Sequence, residues 1–127
     1  MKNKILIVDD IVENIEILLE LLKDKYELFV STNWEGVKSV LSNTNIDLIL
    51  LDIMMPEVDG YQICSSLKSD ENYKHIPIIF ITAKVDEESI EKAYEVGGVD
   101  YITKPLKSKE VLCRIQTQLE LELKFQV

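Results

Sequence analysis

Polar side chains stand at the ends of four short apolar runs in this chain of 127 residues, and they are the groups best suited to chemistry. They are Asp9, Asp10, Asp52, Thr82 and Lys104. A single aspartate after a strand usually caps a helix or starts a turn. If the runs are parallel strands of one sheet, however, their carboxyl ends meet at one edge, where open α/β proteins bind ligands. The five side chains would then form one site instead of five separate caps.

Clustered carboxylates indicate a bound cation. Two carboxylates about 4 Å apart repel each other by roughly 4 kcal/mol at an effective dielectric constant near 20, so Asp9, Asp10 and Asp52 together need a positive partner. Hard carboxylate oxygens without His or Cys ligands suit Mg²⁺, which keeps several waters and is often completed by a phosphate. Considered alone, Lys104 could equally be a solvated lysine, and Thr82 an ordinary β-branched residue at a strand end.

Apolar runs alternate with helical patterns along the chain, and this alternation predicts the elements that position the polar groups. The predicted strands are 4–8, 27–31, 46–51, 76–81 and 101–103, and the predicted helices are 11–22, 35–41, 60–68, 86–96 and 108–124. Asp86 and Ser108 are candidate N-caps, Asp59-Gly60 a helix start, and Gly97-Gly98 a left-handed C-cap. Five strand-helix repeats with short connections predict a five-stranded parallel sheet, doubly wound by helices on both faces.

Length and composition limit the class of protein. A chain of 127 residues fits one compact domain, 1–127, and a hydrophobic content of 46% excludes a disordered acidic tail. A net charge of -9 argues against direct binding to nucleic acid. Without a signal peptide or an apolar stretch near 20 residues, a cytoplasmic protein with no membrane contact is expected. Cys64 and Cys113 lack metal-ligand spacing and are predicted to be reduced, packed thiols, and His75 a loop residue.

The order and spacing of these groups resemble the receiver domains of two-component response regulators, over residues 3 to 122. The matching motifs are Asp9-Asp10, Asp52 in Asp-x-x-Met-Pro-x-x-Asp-Gly, Thr82-Ala83, and Tyr101-Ile102-Thr103-Lys104-Pro105. The resemblance implies a flavodoxin-like (βα)5 fold with strand order 2-1-3-4-5. It also implies a signalling domain of a phosphorelay, which catalyses only its own phosphorylation and dephosphorylation and is otherwise not an enzyme.

The resemblance implies a role for each residue of the site. A sensor histidine kinase or a histidine phosphotransfer protein would pass a phosphoryl group to Asp52, the phosphoacceptor, and form an aspartyl phosphate. Asp10, Asp52 and the backbone carbonyl of Met54 would bind Mg²⁺ directly, and Asp9 would act largely through metal-bound water. Thr82 and Lys104 would bind phosphoryl oxygens, and the peptide bond between Lys104 and Pro105 would be cis.

Regulatory features are also implied by the resemblance. Thr82 and Tyr101 would form a switch that changes the surface of the fourth helix, fifth strand and fifth helix. Met54 and Lys84, two residues beyond Asp52 and Thr82, stand where the family tunes the lifetime of the acyl phosphate. The exposed face of the first helix would select the kinase. The last helix could continue into an effector domain or linker, the chain could act alone on a partner protein, and a monomer could dimerise on phosphorylation.

Rival classes fit the residues less well. A haloacid-dehalogenase-like phosphatase needs a second aspartate where Met54 stands. A flavodoxin-like FMN carrier needs a phosphate loop rich in Gly, Ser and Thr after the first strand, where Asp9 and Asp10 would repel phosphate. The remaining alternative is a receiver-like interaction module that works without phosphorylation.

Overall fold

Ten alternating strands and helices make up the protein, whose computed structural model describes residues 2–125. The elements are β1 (Lys4–Val8), α1 (Val12–Leu22), β2 (Glu27–Ser31), α2 (Trp34–Asn43), β3 (Leu48–Leu51), α3 (Gly60–Lys68), β4 (Ile78–Thr82), α4 (Glu87–Glu95), β5 (Asp100–Thr103) and α5 (Ser108–Phe125). None of these helices is both long enough and apolar enough to cross a membrane.

All five strands are parallel and lie in the order β2-β1-β3-β4-β5, which confirms the doubly wound fold and the strand order. In the register of the sheet, Val8 pairs with Leu51, and Leu51 pairs with Phe80. The order of the strands reverses beside β1, so the ends of β1 and β3 border the crevice where such sheets bind ligands. Asp9 and Asp52, which follow these two strands, are therefore neighbours.

Two apolar layers enclose the sheet, because successive strand residues point to opposite faces. Leu6 and Val8 pack with α2, α3 and α4, whereas Ile5 and Ile7 pack with α1 and α5. All four residues of β3 are buried, as expected for a central parallel strand covered on both sides. This rigid centre carries Asp52 at its end.

Helix termini follow the predicted capping chemistry at three places. The carboxylate of Asp59 accepts a hydrogen bond from the Gln62 backbone and forms a capping box, and Asp86 caps α4 through the Ser89 backbone. Gly97, just past α4, has a φ of 111°, the left-handed conformation that glycine adopts without strain. At α5 the expectation was wrong by one residue: Ser108 is the first helical residue, and the Lys107 carbonyl accepts from the Val111 amide.

Several other details differ from the sequence-based expectations. β3 and β4 start two residues later than predicted, at Leu48 and Ile78. Pro77 has no N–H to donate, so only its carbonyl joins the ladder, as the acceptor for Ile49. Ile11 was predicted to be the first residue of the first helix, but it occupies the N-cap position of α1 and is 46% exposed.

The two cysteines differ in their surroundings. Both are free thiols, as predicted. Cys64 is buried in α3, and its thiol donates to the Val96 carbonyl. Cys113 lies on the solvent side of α5, so the prediction that it is packed was wrong. The helical period places it between the buried residues Val111 and Ile115 but on another face.

Candidate functional site

Three carboxylates meet at the carboxyl edge of the sheet. One oxygen from each of Asp9, Asp10 and Asp52 lies within 4.8 Å of the others. Asp9 and Asp52 are 3% and 4% exposed. The Asp52 amide donates to the Val8 carbonyl, 3.0 Å away, so the pairing of β1 and β3 extends one residue past the strands. This backbone contact holds Asp52 against the end of β1 and creates the acidic cluster.

Lys104, the residue directly after β5, supplies a positive charge to this cluster. Its Nζ lies 3.2 Å from Oδ2 of Asp52 and 3.4 Å from Oδ2 of Asp9. The Lys104 amide donates to the Thr82 carbonyl, and the peptide bond between Lys104 and Pro105 is cis. With all four groups ionised, three negative charges and one positive charge leave a formal charge of -2.

Backbone amides donate hydrogen bonds to only some of the carboxylate oxygens in the cluster. The amides of Ile11 and Met54 donate to Oδ1 of Asp9 and Oδ1 of Asp52, at 3.0 and 3.2 Å. Oδ1 of Asp10 is buried and has no hydrogen-bond partner among the described residues. A buried acceptor left without a partner costs about 1–3 kcal/mol, and more when it is charged. A divalent cation fits this place, because it would satisfy that oxygen and offset the charge of -2.

The pKa of Asp52 reflects its burial and the excess of negative charge around it. Burial raises the pKa of the Asp52 carboxyl, and the negative charge of Asp9 raises it further. Lys104 and the Met54 amide act in the opposite direction but do not cancel the rise. A bound cation would favour the ionised carboxylate, which is the nucleophilic form.

Thr82, Lys84 and Tyr101 form a connected group beside the cluster. Thr82 is fully buried at the end of β4, and its hydroxyl accepts a hydrogen bond from the Lys84 amide at 3.4 Å. The Tyr101 side chain points inward, is 8% exposed, and donates to the Lys84 carbonyl at 2.7 Å. Burial raises the pKa of Tyr101 to about 12, so its hydroxyl remains a donor at neutral pH. The Lys84 backbone therefore joins Thr82 to Tyr101.

Sequence reasoning missed two features of the loop that follows Asp52. Gly60 donates its amide to the Ile53 carbonyl, and a Cβ at Gly60 would lie only 2.8 Å from the Ile53 Cα. Glu57 has a φ of 67°, a left-handed conformation that is uncommon outside glycine. The Asp59-Gly60 pair predicted the start of a helix, but nothing in the sequence predicted that the Gly60 backbone would lie so close to the backbone of Asp52 and Ile53. Met54, in the same loop, is 57% exposed beside the site.

The sequence profile described as the response regulator receiver domain matches residues 5–116. The chain therefore belongs to the response regulator receiver domain family, as its motifs predicted. Receiver domains are signalling modules, and accepting a phosphoryl group is the general function of the family. Members generally bind Mg²⁺ in an acidic pocket and work with histidine kinases and effectors.

Curated relatives are longer than this chain. It is 36% identical over 116 residues to a Vibrio cholerae protein named "Probable cyclic di-GMP phosphodiesterase", covering 91% of this chain and 26% of that protein. It is also 36% identical over 121 residues to the transcriptional regulatory protein SrrA of Staphylococcus aureus, covering 94% of this chain and 48% of SrrA. The chain thus spans between about a quarter and a half of the length of these relatives.

Solved structures resemble the fold over nearly its full length. The signal receiver domain of a signal transduction histidine kinase from Syntrophus aciditrophicus is 34% identical, with a TM-score of 0.85, covering 93% of this chain and 90% of that one. The BeF3-activated DrrB receiver domain is 29% identical, with a TM-score of 0.84, covering 94% of this chain and 99% of that one. Both likenesses agree with membership of the family.

Proposed function

We propose that this chain is a phosphoacceptor receiver domain in which Asp52 takes a phosphoryl group from a phosphohistidine. The donor is a sensor histidine kinase or a histidine phosphotransfer protein. The observation that carries the proposal is the placement of Lys104 within 3.4 Å of both Asp52 and Asp9, at the edge of the sheet where the three carboxylates converge. This arrangement supports phosphoryl transfer, which depends mainly on positioning and on stabilising charge.

The chemistry needs few groups. A carboxylate oxygen of Asp52 attacks the phosphorus, the phosphorus–nitrogen bond of the donor breaks, and the donor imidazole leaves and takes up a proton. The Lys104 ammonium, 3.2 Å from Asp52, binds a phosphoryl oxygen and offsets its charge. The Thr82 hydroxyl binds a second oxygen. Water later attacks the phosphorus, which releases phosphate and restores the carboxylate.

We assign the divalent cation to the acidic cluster. Asp10, Asp52 and the Met54 carbonyl would hold Mg²⁺ directly, and Asp9 would act mainly through metal-bound water. Two observations support this assignment: the buried Asp10 oxygen, which has no partner in the described part of the chain, and the formal charge of -2. Mg²⁺ bound there supplies positive charge to the phosphoryl oxygens, which is its usual part in phosphoryl transfer.

Phosphorylation operates a switch in this proposal. A phosphoryl group adds a charge of about -1.5 to -2 and three acceptor oxygens. A Thr82 hydroxyl drawn to one of those oxygens breaks its hydrogen bond with the Lys84 amide, and the Lys84 carbonyl is the acceptor for Tyr101. Movement of the Lys84 backbone and of Tyr101 thus alters the surface formed by α4, β5 and α5. Met54 and the Lys84 side chain tune the lifetime of the acyl phosphate.

Output passes to an effector. We assign residues 1–127 to a single receiver domain, of which residues 1, 126 and 127 lie outside the described part of the chain. The lengths of the relatives, of which this chain spans 26% and 48%, support a place in a larger regulator. A separate partner protein could serve instead. The domain acts in the cytoplasm, binds neither nucleic acid nor membrane directly, and turns over no substrate besides its own phosphoryl group. It is a monomer that could dimerise when phosphorylated.

Acetyl phosphate with Mg²⁺ tests the proposal by mass spectrometry. The protein is expected to gain the mass of one phosphoryl group, and Asp52→Asn or removal of Mg²⁺ with a chelator is expected to abolish the gain. Asp24→Asn, which changes an exposed aspartate after α1, is the matched control and keeps the gain. A protein that stays unmodified would favour the phosphorylation-independent interaction module instead.

A further inference from the structure

α4 has few apolar contacts of its own to fix its position. Of its nine residues, the two small residues Ser89 and Ala93 are buried, Ile90 is half-buried against the core, and the outer face is acidic and exposed. Elements with little buried apolar surface open at low free-energy cost. The position of α4 therefore depends strongly on the polar contacts at its first turn.

Tyr61 makes such a contact from the start of α3. Its hydroxyl donates to the Ser89 carbonyl at 3.0 Å, in a buried environment. Its ring packs against Phe80 of β4, with centroids 5.8 Å apart, and the Lys92 ammonium lies 4.6 Å over the ring. Ser89 is itself held by the Asp86 cap. One side chain thus contacts the sheet, the first turn of α4 and a lysine one turn later.

Tyr61 is also tied to the loop that carries Asp52. The preceding residue, Gly60, donates its amide to the Ile53 carbonyl at 2.9 Å, and a Cβ at this position would overlap the backbone of Asp52 and Ile53. A displacement of this loop moves the base of the Tyr61 side chain. Its hydroxyl end would transmit that displacement to Ser89.

We infer that Tyr61 is a positioning residue that couples the Asp52 loop to α4, in parallel with the contact from Tyr101 to Lys84. The inference rests on the proposed phosphorylation of Asp52 and adds a second route for the switch. Tyr101 holds the loop before α4 at the Lys84 carbonyl, whereas Tyr61 holds the first turn itself. The two hydroxyls act on different backbone groups, so neither replaces the other.

Tyr61→Phe tests the inference because it removes the hydroxyl and keeps the ring. Amide hydrogen exchange of residues 87–95 in the resting protein is expected to become about fivefold faster, which corresponds to a typical hydrogen bond of about 1 kcal/mol. Tyr94→Phe, on a 47% exposed side chain of the same helix, is the matched control and leaves the exchange unchanged. Unchanged exchange in Tyr61→Phe would overturn the inference whether or not the protein is phosphorylated.

The response to activation separates coupling from a structural role. With beryllofluoride and Mg²⁺, the amide chemical shifts of residues 87–95 are expected to change in the parent protein and to change by less than half as much in Tyr61→Phe. The mass gain with acetyl phosphate is expected to be equal in both proteins. Equal shift changes would refute the coupling, whereas a parent protein that gains no mass would refute the proposed function and leave the exchange result to decide the role of Tyr61.

Discussion

Gly60→Ala tests how closely the start of α3 must approach the phosphoacceptor loop. The new Cβ would overlap the Asp52 carbonyl oxygen and would lie 2.8 Å from the Ile53 Cα and 2.9 Å from the Asp52 carbonyl carbon. Carbon atoms prefer to be about 3.5–4.0 Å apart, so the two carbon contacts alone require the backbones to separate by roughly 0.7 Å. All three contacts are to the main chain, which cannot rotate away as a flexible side chain can.

The magnitude follows from two opposing effects. Overpacking of this kind costs about 1–3 kcal/mol, and rigid backbone contacts favour the upper part of that range. Alanine regains about 0.5–1 kcal/mol over glycine in a helix. We therefore expect the free energy of unfolding to fall by about 2 kcal/mol, which lowers the Tm of a domain of this size by roughly 6–8 °C.

Urea unfolding measures the stability, and mass spectrometry with acetyl phosphate measures the effect on the site. Because misplacing a reacting group by about 1 Å can cost about 100-fold in rate, we expect phosphorylation of Gly60→Ala to slow at least about tenfold. The control is Gly36→Ala in α2, whose Cβ would meet the Ser31 side chain at 3.2 Å, and its stability should change by less than about 1 kcal/mol. If Gly60→Ala unfolds at the same urea concentration as the parent, the steric reasoning is wrong.

Two further predictions concern the charge of Asp52 and the exposed side chain beside it. The pKa of Asp52 in the folded protein is raised above its ordinary value of 3.8. The Asp52 carboxyl therefore stabilises the fold fully below pH 3.8, and this stabilisation is lost as the pH rises through the raised pKa. Asp52→Asn should therefore be more stable than the parent at neutral pH without Mg²⁺, and a lower Tm would contradict this. Met54→Asn should lose phosphate faster than the parent, because the exposed Met54 hinders the attacking water, whereas Met54→Leu should not. Equal rates of phosphate loss in a dephosphorylation time course would refute that role.

Local patterns were sufficient to predict most of the fold. Such patterns involve residues only a few positions apart in the chain, as in the apolar run of β3 and in the helical spacing of Ile15, Leu18 and Leu22. All of these residues are buried. The same is true of the Asp86 cap and of Gly97. The failures at Ile11 and Cys113 have a common cause: the hydrophobic character of a residue alone does not say whether the rest of the fold will cover it.

The contacts around the site could not be read from the sequence in the same way. The hydroxyls of Tyr61 and Tyr101 bind carbonyls 28 and 17 residues away, and both acceptors are backbone groups that every residue carries. The sequence therefore does not show which backbone carbonyl will accept the hydrogen bond. The expected role of Lys84 in tuning the lifetime of the acyl phosphate stays a prediction, and the contacts of its amide and carbonyl, which join Thr82 to Tyr101, were not expected from the sequence.

By itself, the sequence determined which residues end the strands, because strand and helix periods and their termini are local properties. The tertiary structure decided that Lys104 contacts Asp9 and Asp52, which precede it by 95 and 52 residues. It also left one oxygen of Asp10 buried without a partner within residues 2–125. Which strand ends become neighbours, and which polar atoms remain unpaired, depends on how the whole sheet packs, and this packing is what brings the separate charges into one site.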